Sequence, residues 1–134
     1  MIPTCGIDHL VLHVADAARA RAFYEGVLGF RLVEQVTPTH VFLKSGDCQL
    51  GLFEARDRSR LAPYTELDHF ALRVPDLDEP AIKRALQAHA VDLRPRPEGI
   101  GYPSAKWVGV YLRDPDGHTL QLLPAGQWPQ VKVA

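Results

Sequence analysis

Residues 68–74 read DHFALRV, and residues 8–14 read DHLVLHV, an offset of 60 positions. Apolar residues alternate with other residues in both stretches, which is the period of a β-strand with one buried face. His9 and His69 then lie on the face opposite the apolar side chains. Two matching strands at a fixed offset indicate that the chain contains two copies of one structural unit.

A helix is predicted after each of these strands. Asp16 is a suitable N-cap for the first helix, and apolar residues at helical spacing continue toward Gly29, which ends it. Asp78 caps the second helix and Pro80 fits its first turn. The same spacing of apolar residues runs from Ile82 to His89, so each helix is expected to bury one stripe.

Three further strands are predicted after each helix. They are Phe30–Val36, His40–Lys44 and Gln49–Glu54 in the first half, and Val91–Pro95, Trp107–Arg113 and His118–Leu123 in the second. Each half therefore reads β-α-β-β-β, which predicts an α+β fold. The modules span 7–55 and 66–124 of a single domain, 1–134, joined by a polar linker. Residues 94–104, with three prolines and two glycines, are predicted to form a loop.

Composition excludes several classes of function. The chain has 134 residues, 46% hydrophobic and 23% charged, with 15 Lys and Arg against 16 Asp and Glu. This balance predicts a folded protein that binds no nucleic acid, and no apolar run is long enough for a membrane span. No signal peptide is visible, so a cytoplasmic protein with reduced Cys5 and Cys48 is expected, with Cys48 in the core.

The repeated histidines are candidate metal ligands. Equivalent positions of a duplicated unit meet when the halves pack about a two-fold axis, which would bring His9 and His69 together with Gln121. Imidazole is a common ligand of first-row divalent metals. Two imidazoles and one side-chain oxygen make an open site, as a catalytic metal requires. A packing requirement shared by the two halves is the competing explanation of the repeat.

Four stretches carry a resemblance to a known family: IDHLVLHVAD (7–16), FYEGVLGF (23–30), LDHFALRVPD (67–76) and VYLRDPDGHTLQLL (110–123). With them the chain resembles the vicinal oxygen chelate superfamily, which includes glyoxalase I, bleomycin resistance proteins and extradiol dioxygenases. The resemblance implies two βαβββ modules that form a curved mixed sheet around a concave pocket, with the helices on the outer face. It also implies a homodimer and a divalent metal ion, which would be Fe, Mn, Ni, Co or Zn.

The ligand positions of that superfamily lie on the first and last strands of each module. Here they correspond to His9, Gly51, His69 and Gln121. Glutamine stands where glutamate is usual, so the metal charge is left uncompensated and a carboxylate general base is absent. Gly51 has no side chain to offer, and alternation places the nearby Glu54 on the opposite face.

Strand alternation also predicts which side chains line the pocket. They are His13, His40, Phe42, Gln49, Phe53, Arg73, Trp107, Gly109 and Tyr111. This set suits a flat or aromatic small molecule, and Arg73 can pair with an anionic group. Core packing is the competing interpretation for the aromatic residues Phe42, Phe53 and Trp107.

Two main functional hypotheses follow. The first is a divalent-metal-dependent enzyme, of lyase or dioxygenase type, that acts on a small molecule with vicinal oxygens. The alternative is a metal-free protein that binds or sequesters a drug or aromatic compound, and a purely structural or partner-binding domain ranks third. The pocket can form within one chain or between two.

Overall fold

The computed structural model describes residues 1–61, 67–76, 78–91, 93–94 and 109–125. The strands are β1 (His9–Val14), β2 (Arg31–Thr37), β3 (His40–Ser45), β4 (Cys48–Glu54), β5 (Phe70–Val74), β6 (Leu93–Arg94), β7 (Val110–Arg113) and β8 (Thr119–Pro124). The helices are α1 (Ala17–Gly26) and α2 (Glu79–Ala88). The predicted order β-α-β-β-β is therefore confirmed in both halves.

The chain divides by its internal contacts into two compact units, Met1–Tyr64 and Thr65–Ala134. Each unit holds one four-stranded sheet, in the order β1-β4-β3-β2 and β5-β8-β7-β6. In both sheets the first and last strands pair in parallel, while the other pairs are antiparallel. The two sheets are thus mixed and share one topology, and the predicted α+β class is confirmed.

Alternation along β1, β3 and β4 builds the core of the first unit. Its most buried side chains are Leu12, Val14, Ala17, Ala20, Tyr24, Val41, Leu43 and Leu52. Helix α1 contacts β3 and β4, so it covers the sheet face that carries these side chains. Burying each leucine contributes roughly 1.5–3 kcal/mol, and truncating one such as Leu52 to alanine costs about 2–5 kcal/mol.

Two carboxylates cap the start of α1. The Asp16 side chain accepts a hydrogen bond from the Arg19 N–H at 2.9 Å, as predicted. Oε1 of Glu54 accepts one from the Ala17 N–H at 3.0 Å. Because Glu54 satisfies the helix start, it lies on the helix-covered face, which agrees with its exclusion from the candidate ligands. The helix ends at Gly26, and the chain reverses farther on at Gly29, where φ is +71°.

Helix α2 begins as predicted, with Asp78 accepting from the Ala81 N–H at 3.2 Å and Pro80 in the first turn. The predicted stripe is wrong in part, because Leu86 is buried while Ala85 and His89 are exposed. His89 is the C-cap residue, where the chain already leaves the helix. A single buried leucine, with half-buried neighbours, is enough to anchor this ten-residue helix.

Several predicted boundaries shift. Strand β6 has two residues rather than five, and residues 95–108 and 126–134 lie outside the described part, including most of the predicted loop and Trp107. The linker contains a short 3₁₀ turn at Arg58–Arg60, which Asp57 caps. Hydrogen bonds from the Ser59 backbone and side chain hold the pKa of the Asp57 carboxyl below its usual value.

Cys48 was expected in the core, and this is wrong: it is exposed at the first residue of β4, opposite Ser45 beside the hairpin turn. In the described ranges, neither helix has the length and apolar character that a bilayer span requires.

Candidate functional site

One face of the first sheet, the one away from α1, carries most of the predicted pocket residues. The strand registers arrange this open face in three rows across β1, β4 and β3: His9–Gln49–Lys44, Val11–Gly51–Phe42 and His13–Phe53–His40. The structure therefore brings His13, His40, Phe42, Gln49 and Phe53 onto the same face as His9. Alternation alone was sufficient to predict this grouping.

Gly51 lies at the centre of these rows and is covered by its neighbours. A Cβ atom at this position would lie 3.0 Å from Phe42 Cε1, 3.0 Å from Val11 Cγ2 and 3.2 Å from Phe53 Cε1. The missing ligand of the first unit is thus replaced by packed apolar side chains. A larger side chain at Gly51 would have to displace two aromatic rings.

Four rings form a continuous edge-to-face series on this face. The His9 and Phe42 ring centroids are 5.6 Å apart, those of Phe42 and Phe53 5.5 Å, and those of Phe53 and His40 4.4 Å. Such contacts contribute about 0.5–1.5 kcal/mol each beyond burial. Phe42 and Phe53 are half-buried, so part of each ring stays accessible, unlike the side chains of the core.

The second unit has a matching open face. Ala71, Gln121 and Tyr111 form one row across β5, β8 and β7. The Tyr111 and His69 ring centroids are 5.8 Å apart, which places His69 on this face as well. Gln121 and Tyr111 are only 7% and 6% exposed, whereas the predicted anion partner Arg73 is exposed.

Gly109 is also next to Gln121. A Cβ at Gly109 would lie 3.2 Å from Gln121 Cγ and only 2.2 Å from the Leu122 carbonyl oxygen. The close backbone approach permits glycine alone at this position.

Each candidate histidine is held by the aspartate that precedes it. His9 Nδ1 lies 2.6 Å from Asp8 Oδ1, and His69 Nδ1 lies 2.6 Å from Asp68 Oδ2. A carboxylate on Nδ1 fixes the tautomer and ring orientation and leaves Nε2 for another partner. The repeated Asp-His dipeptide was visible in the sequence, but this role of the aspartates was not predicted.

The two units thus present the same arrangement of groups at equivalent positions. The equivalent pairs are Asp8 and Asp68, His9 and His69, Phe42 and Tyr111, and Gly51 and Gln121. The units differ most at the last pair, where one has no donor and the other has a buried amide.

Other features of the described residues do not add donors. No group of three or more His, Cys, Asp or Glu side chains able to hold a metal is found in the ranges that the structure covers. A surface cavity of about 260 Å³ lies beside α1 and β2, lined by Ala18, Arg21, Ala22, Glu25, Gln35 and Pro38. None of the predicted site residues lines it. The convergence of His9, His69 and Gln121 on one metal ion stays a prediction.

Known structures share this architecture. A lactoylglutathione lyase from Agrobacterium tumefaciens superposes with a TM-score of 0.71 at 24% identity, covering 96% of this chain and 99% of that one. TnmS3, an antibiotic binding protein from Streptomyces sp. CB03234, gives 0.67 at 23% identity, covering 92% and 98%. FosX, a fosfomycin resistance protein from Listeria monocytogenes, gives 0.66 at 18% identity, covering 92% and 94%. At these identities the likeness shows the fold.

Sequence comparison reaches further than the fold. Metallothiol transferase FosB from Bacillus licheniformis is 28% identical over 120 residues, which are 87% of this chain and 73% of FosB. The family model described as the Glyoxalase/Bleomycin resistance protein/Dioxygenase superfamily matches residues 6–122. That match includes both Asp-His strands and all of the four equivalent pairs. The chain therefore belongs to the glyoxalase/bleomycin resistance protein/dioxygenase superfamily.

Proposed function

We propose that this protein binds one divalent metal ion through Nε2 of His9, Nε2 of His69 and the side-chain oxygen of Gln121. The metal centre acts on a small molecule with vicinal oxygens. One observation carries the proposal: both histidines have Nδ1 at 2.6 Å from a carboxylate oxygen, at equivalent positions of the two units. Carboxylate–histidine pairs of this kind are characteristic of imidazoles that ligate metals.

The donor set fits a divalent metal despite the missing glutamate. Two neutral imidazoles and an amide leave the metal charge uncompensated, but Asp8 and Asp68 each place a negative charge behind one ligand. Hydrogen bonding to a carboxylate raises the basicity of an imidazole ligand. The aspartate side chains are 84% and 78% exposed, so solvent screens part of this effect. We therefore expect weaker binding than a site with a ligating carboxylate would show.

Three protein donors leave coordination positions open for a substrate, because Gly51 supplies none. When bound, the metal ion supplies Lewis-acid polarisation of a substrate oxygen. In the first unit, the Phe42 ring makes an edge-to-face contact with the His9 ring. Tyr111 contacts the His69 ring on the second.

Gln121 limits the chemistry, because an amide cannot take up a proton as a carboxylate base does. Reactions that need no protein base at this position are therefore favoured. One relative is compatible with this range, since FosB is a metallothiol transferase. We propose a metal-dependent lyase-type or addition reaction, with an oxygen-activating dioxygenase reaction as its variant.

Metal titration tests the proposal. Apo protein should take up about one equivalent of Fe, Mn, Ni, Co or Zn per chain, measured by calorimetry and by metal analysis after gel filtration. His9→Ala and His69→Ala should each abolish tight binding, whereas His89→Ala, which removes an exposed histidine at the end of α2, should not. Absence of uptake for all five metals in the wild type would contradict the proposal.

A second candidate function is metal-free binding of a flat aromatic compound. The half-buried rings of Phe42, Phe53 and His40 and the missing donor at Gly51 favour it. A ligand that binds only the folded state raises the melting temperature. Chelator-treated protein would then be stabilised by an aromatic ligand as strongly as metal-loaded protein. This candidate would be excluded as the main function if the wild type showed turnover that a chelator removes and added metal restores, and if His9→Ala lacked that turnover.

We also propose that the protein is a homodimer. Light scattering measures the mass of the assembly directly. Co-expression of His9→Ala and His69→Ala chains with different tags then reports how the pair is built. If a metal site is recovered in the mixed dimer, His9 of one chain and His69 of the other ligate the same metal. If no site is recovered, the two histidines that ligate one metal belong to the same chain.

A further inference from the structure

His40 is held on the open face of the first unit by two threonine hydroxyls. Its Nδ1 lies 2.9 Å from Thr37 Oγ1 and 2.9 Å from Thr39 Oγ1, and the hydroxyl oxygens are 3.2 Å apart. The Thr39 N–H also donates to Thr37 Oγ1 at 3.2 Å. The Nδ1 atom of the ring is thus occupied, and Nε2 is the nitrogen that remains for another molecule.

A second layer of contacts fixes the turn that carries this ring. Gln35 Nε2 donates to the Thr37 carbonyl at 2.6 Å and to the His40 carbonyl at 3.3 Å. Its Oε1 accepts from Arg21 Nη1 at 3.2 Å, and Arg21 also pairs with Glu25 at 3.1 Å. The turn between β2 and β3 is therefore tied to helix α1. A half-buried histidine that only packed against Phe53 would not need a fixed ring orientation.

We propose that His40 is a recognition residue whose Nε2–H donates to an acceptor at the far end of an elongated, flat ligand. In this proposal Nδ1 accepts a hydrogen bond from the Thr37 or Thr39 hydroxyl, and in that tautomer the ring proton is on Nε2. The apolar body of the ligand lies on Phe42 and Phe53. The inference rests on the proposed function, because the near end of the ligand binds the metal ion that His9 holds.

The strand registers set the length of this ligand. His9 is opposite Gln49 and Lys44, and His40 lies four residues along β3 from Lys44. At about 3.3 Å per residue and about 4.8 Å between strands, the Cα atoms of His9 and His40 are about 16 Å apart. Side chains on a strand stand roughly perpendicular to the sheet, so the two Nε2 atoms are separated by about the same distance. A metal bond of about 2.1 Å and a hydrogen bond of about 2.9 Å then leave about 11 Å for the ligand.

The chemistry of the face defines the ligand class. The metal end requires two neighbouring oxygens, the ring series requires a flat apolar body, and Nε2–H requires a carboxylate or carbonyl acceptor. Two linked six-membered rings with a terminal carboxylate have this length. A single small keto acid or a catechol alone would reach only one end of the surface.

Matched probes separate these requirements. We would measure binding of catechol, 3,4-dihydroxybiphenyl and 3′,4′-dihydroxybiphenyl-4-carboxylate to zinc-loaded protein by calorimetry. The second ring should tighten binding, and the carboxylate should tighten it by about tenfold more, as a charge-assisted hydrogen bond does. In His40→Phe, which keeps a ring against Phe53, the gain from the carboxylate should fall below about twofold. His89→Phe is the control and should retain the full gain.

Three results would overturn the inference. They are an equal gain from the carboxylate in His40→Phe, no gain from the second ring, and tighter binding of an analogue in which a 4-aminomethyl group replaces the carboxylate. Biphenyl-4-carboxylate and biphenyl on chelator-treated protein keep this test independent of the metal. Suppose that the carboxylate tightens binding to the chelator-treated protein only when His40 is present, and that the protein takes up no metal. This result would contradict the proposed function and leave the recognition role of His40 in place. Melting temperatures of both variants establish that they are folded.

Discussion

The ring of Phe42 lies over Gly51, with Cε1 only 3.0 Å from the place that a Cβ atom would occupy. Gly51 is therefore a packing position in this chain, and its lack of a donor is coupled to the ring above it. The equivalent pair in the second unit, Tyr111 and Gln121, keeps a buried amide beside the aromatic ring. The two units have diverged in this pair while retaining their Asp-His dipeptides.

Substitution at Gly51 should therefore not create a fourth ligand. We expect Gly51→Glu to lower the free energy of unfolding by about 1–3 kcal/mol, the usual cost of overpacking, without increasing metal affinity. Urea denaturation and metal titration measure both quantities. Phe42→Ala/Gly51→Glu, with Phe42→Ala as its control, should bind metal more tightly than the single alanine variant, because the Phe42 ring no longer blocks one side of position 51. Tighter metal binding by Gly51→Glu alone would contradict the packing role.

Gln121 offers the complementary change. Gln121→Glu places a carboxylate where the amide is buried, so the metal charge is compensated and affinity should rise by at least about tenfold. Without metal the buried carboxylate is desolvated, so the apo variant should be less stable than the wild type. Calorimetry and thermal unfolding, each with and without metal, measure the two effects. Equal affinities of the two proteins would mean that position 121 does not ligate.

The aspartates behind the two histidines should act through them. We expect Asp8→Asn and Asp68→Asn each to weaken metal binding by about 10–100-fold, as loss of a hydrogen-bonding partner of a ligating histidine commonly does. Asp47→Asn, an exposed aspartate in the hairpin turn between β3 and β4, is the matched control. If only one aspartate mattered, or if Asp47→Asn had the same effect, the equivalence of the two units in metal binding would be wrong.

The order of elements could be read from the sequence because each depends on local rules. Alternation, the Asp16 and Asp78 caps and the turn residues placed most strand ends within two residues of those observed. The stripe on α2 failed at Ala85 and His89, because helical spacing does not show how much of a helix a sheet covers. Cys48 was misplaced since an apolar residue beside a hairpin turn need not face the core.

The sequence predicted which residues lie on the open face of each sheet, but it did not predict their side-chain contacts. Alternation places residues i and i+1 on opposite faces, so it gave no reason to pair Asp8 with His9. The packing of Phe42 over Gly51 and the threonine contacts of His40 depend on side-chain rotamers and a turn, which no periodicity encodes. The meeting of His9 with His69 depends on the packing of the two units and stays a prediction.

The chain reverses after each helix through a residue with positive φ, and the two units use different residues there. In the first unit Gly29 has φ +71°, and in the second Ala90 has φ +55°. The Ala90 N–H bonds to the Gln87 carbonyl at 2.9 Å and the Val91 N–H to the Leu86 carbonyl at 2.9 Å. This is a Schellman ending, in which glycine is the usual residue at the position of Ala90.

Substitutions at these two positions should change the free energy of unfolding in opposite directions. A side chain in the left-handed region costs about 1–2 kcal/mol, and part of that is returned by the greater unfolded-state entropy of glycine. We therefore expect Ala90→Gly to raise the free energy of unfolding by about 0.5–1 kcal/mol and Gly29→Ala to lower it by a similar amount. Both positions are exposed, and a Cβ at Gly29 would meet no atom within 4 Å, so packing does not confuse the comparison. Urea denaturation of both variants measures the difference, and a destabilised Ala90→Gly would show that this alanine contributes contacts that outweigh its backbone strain.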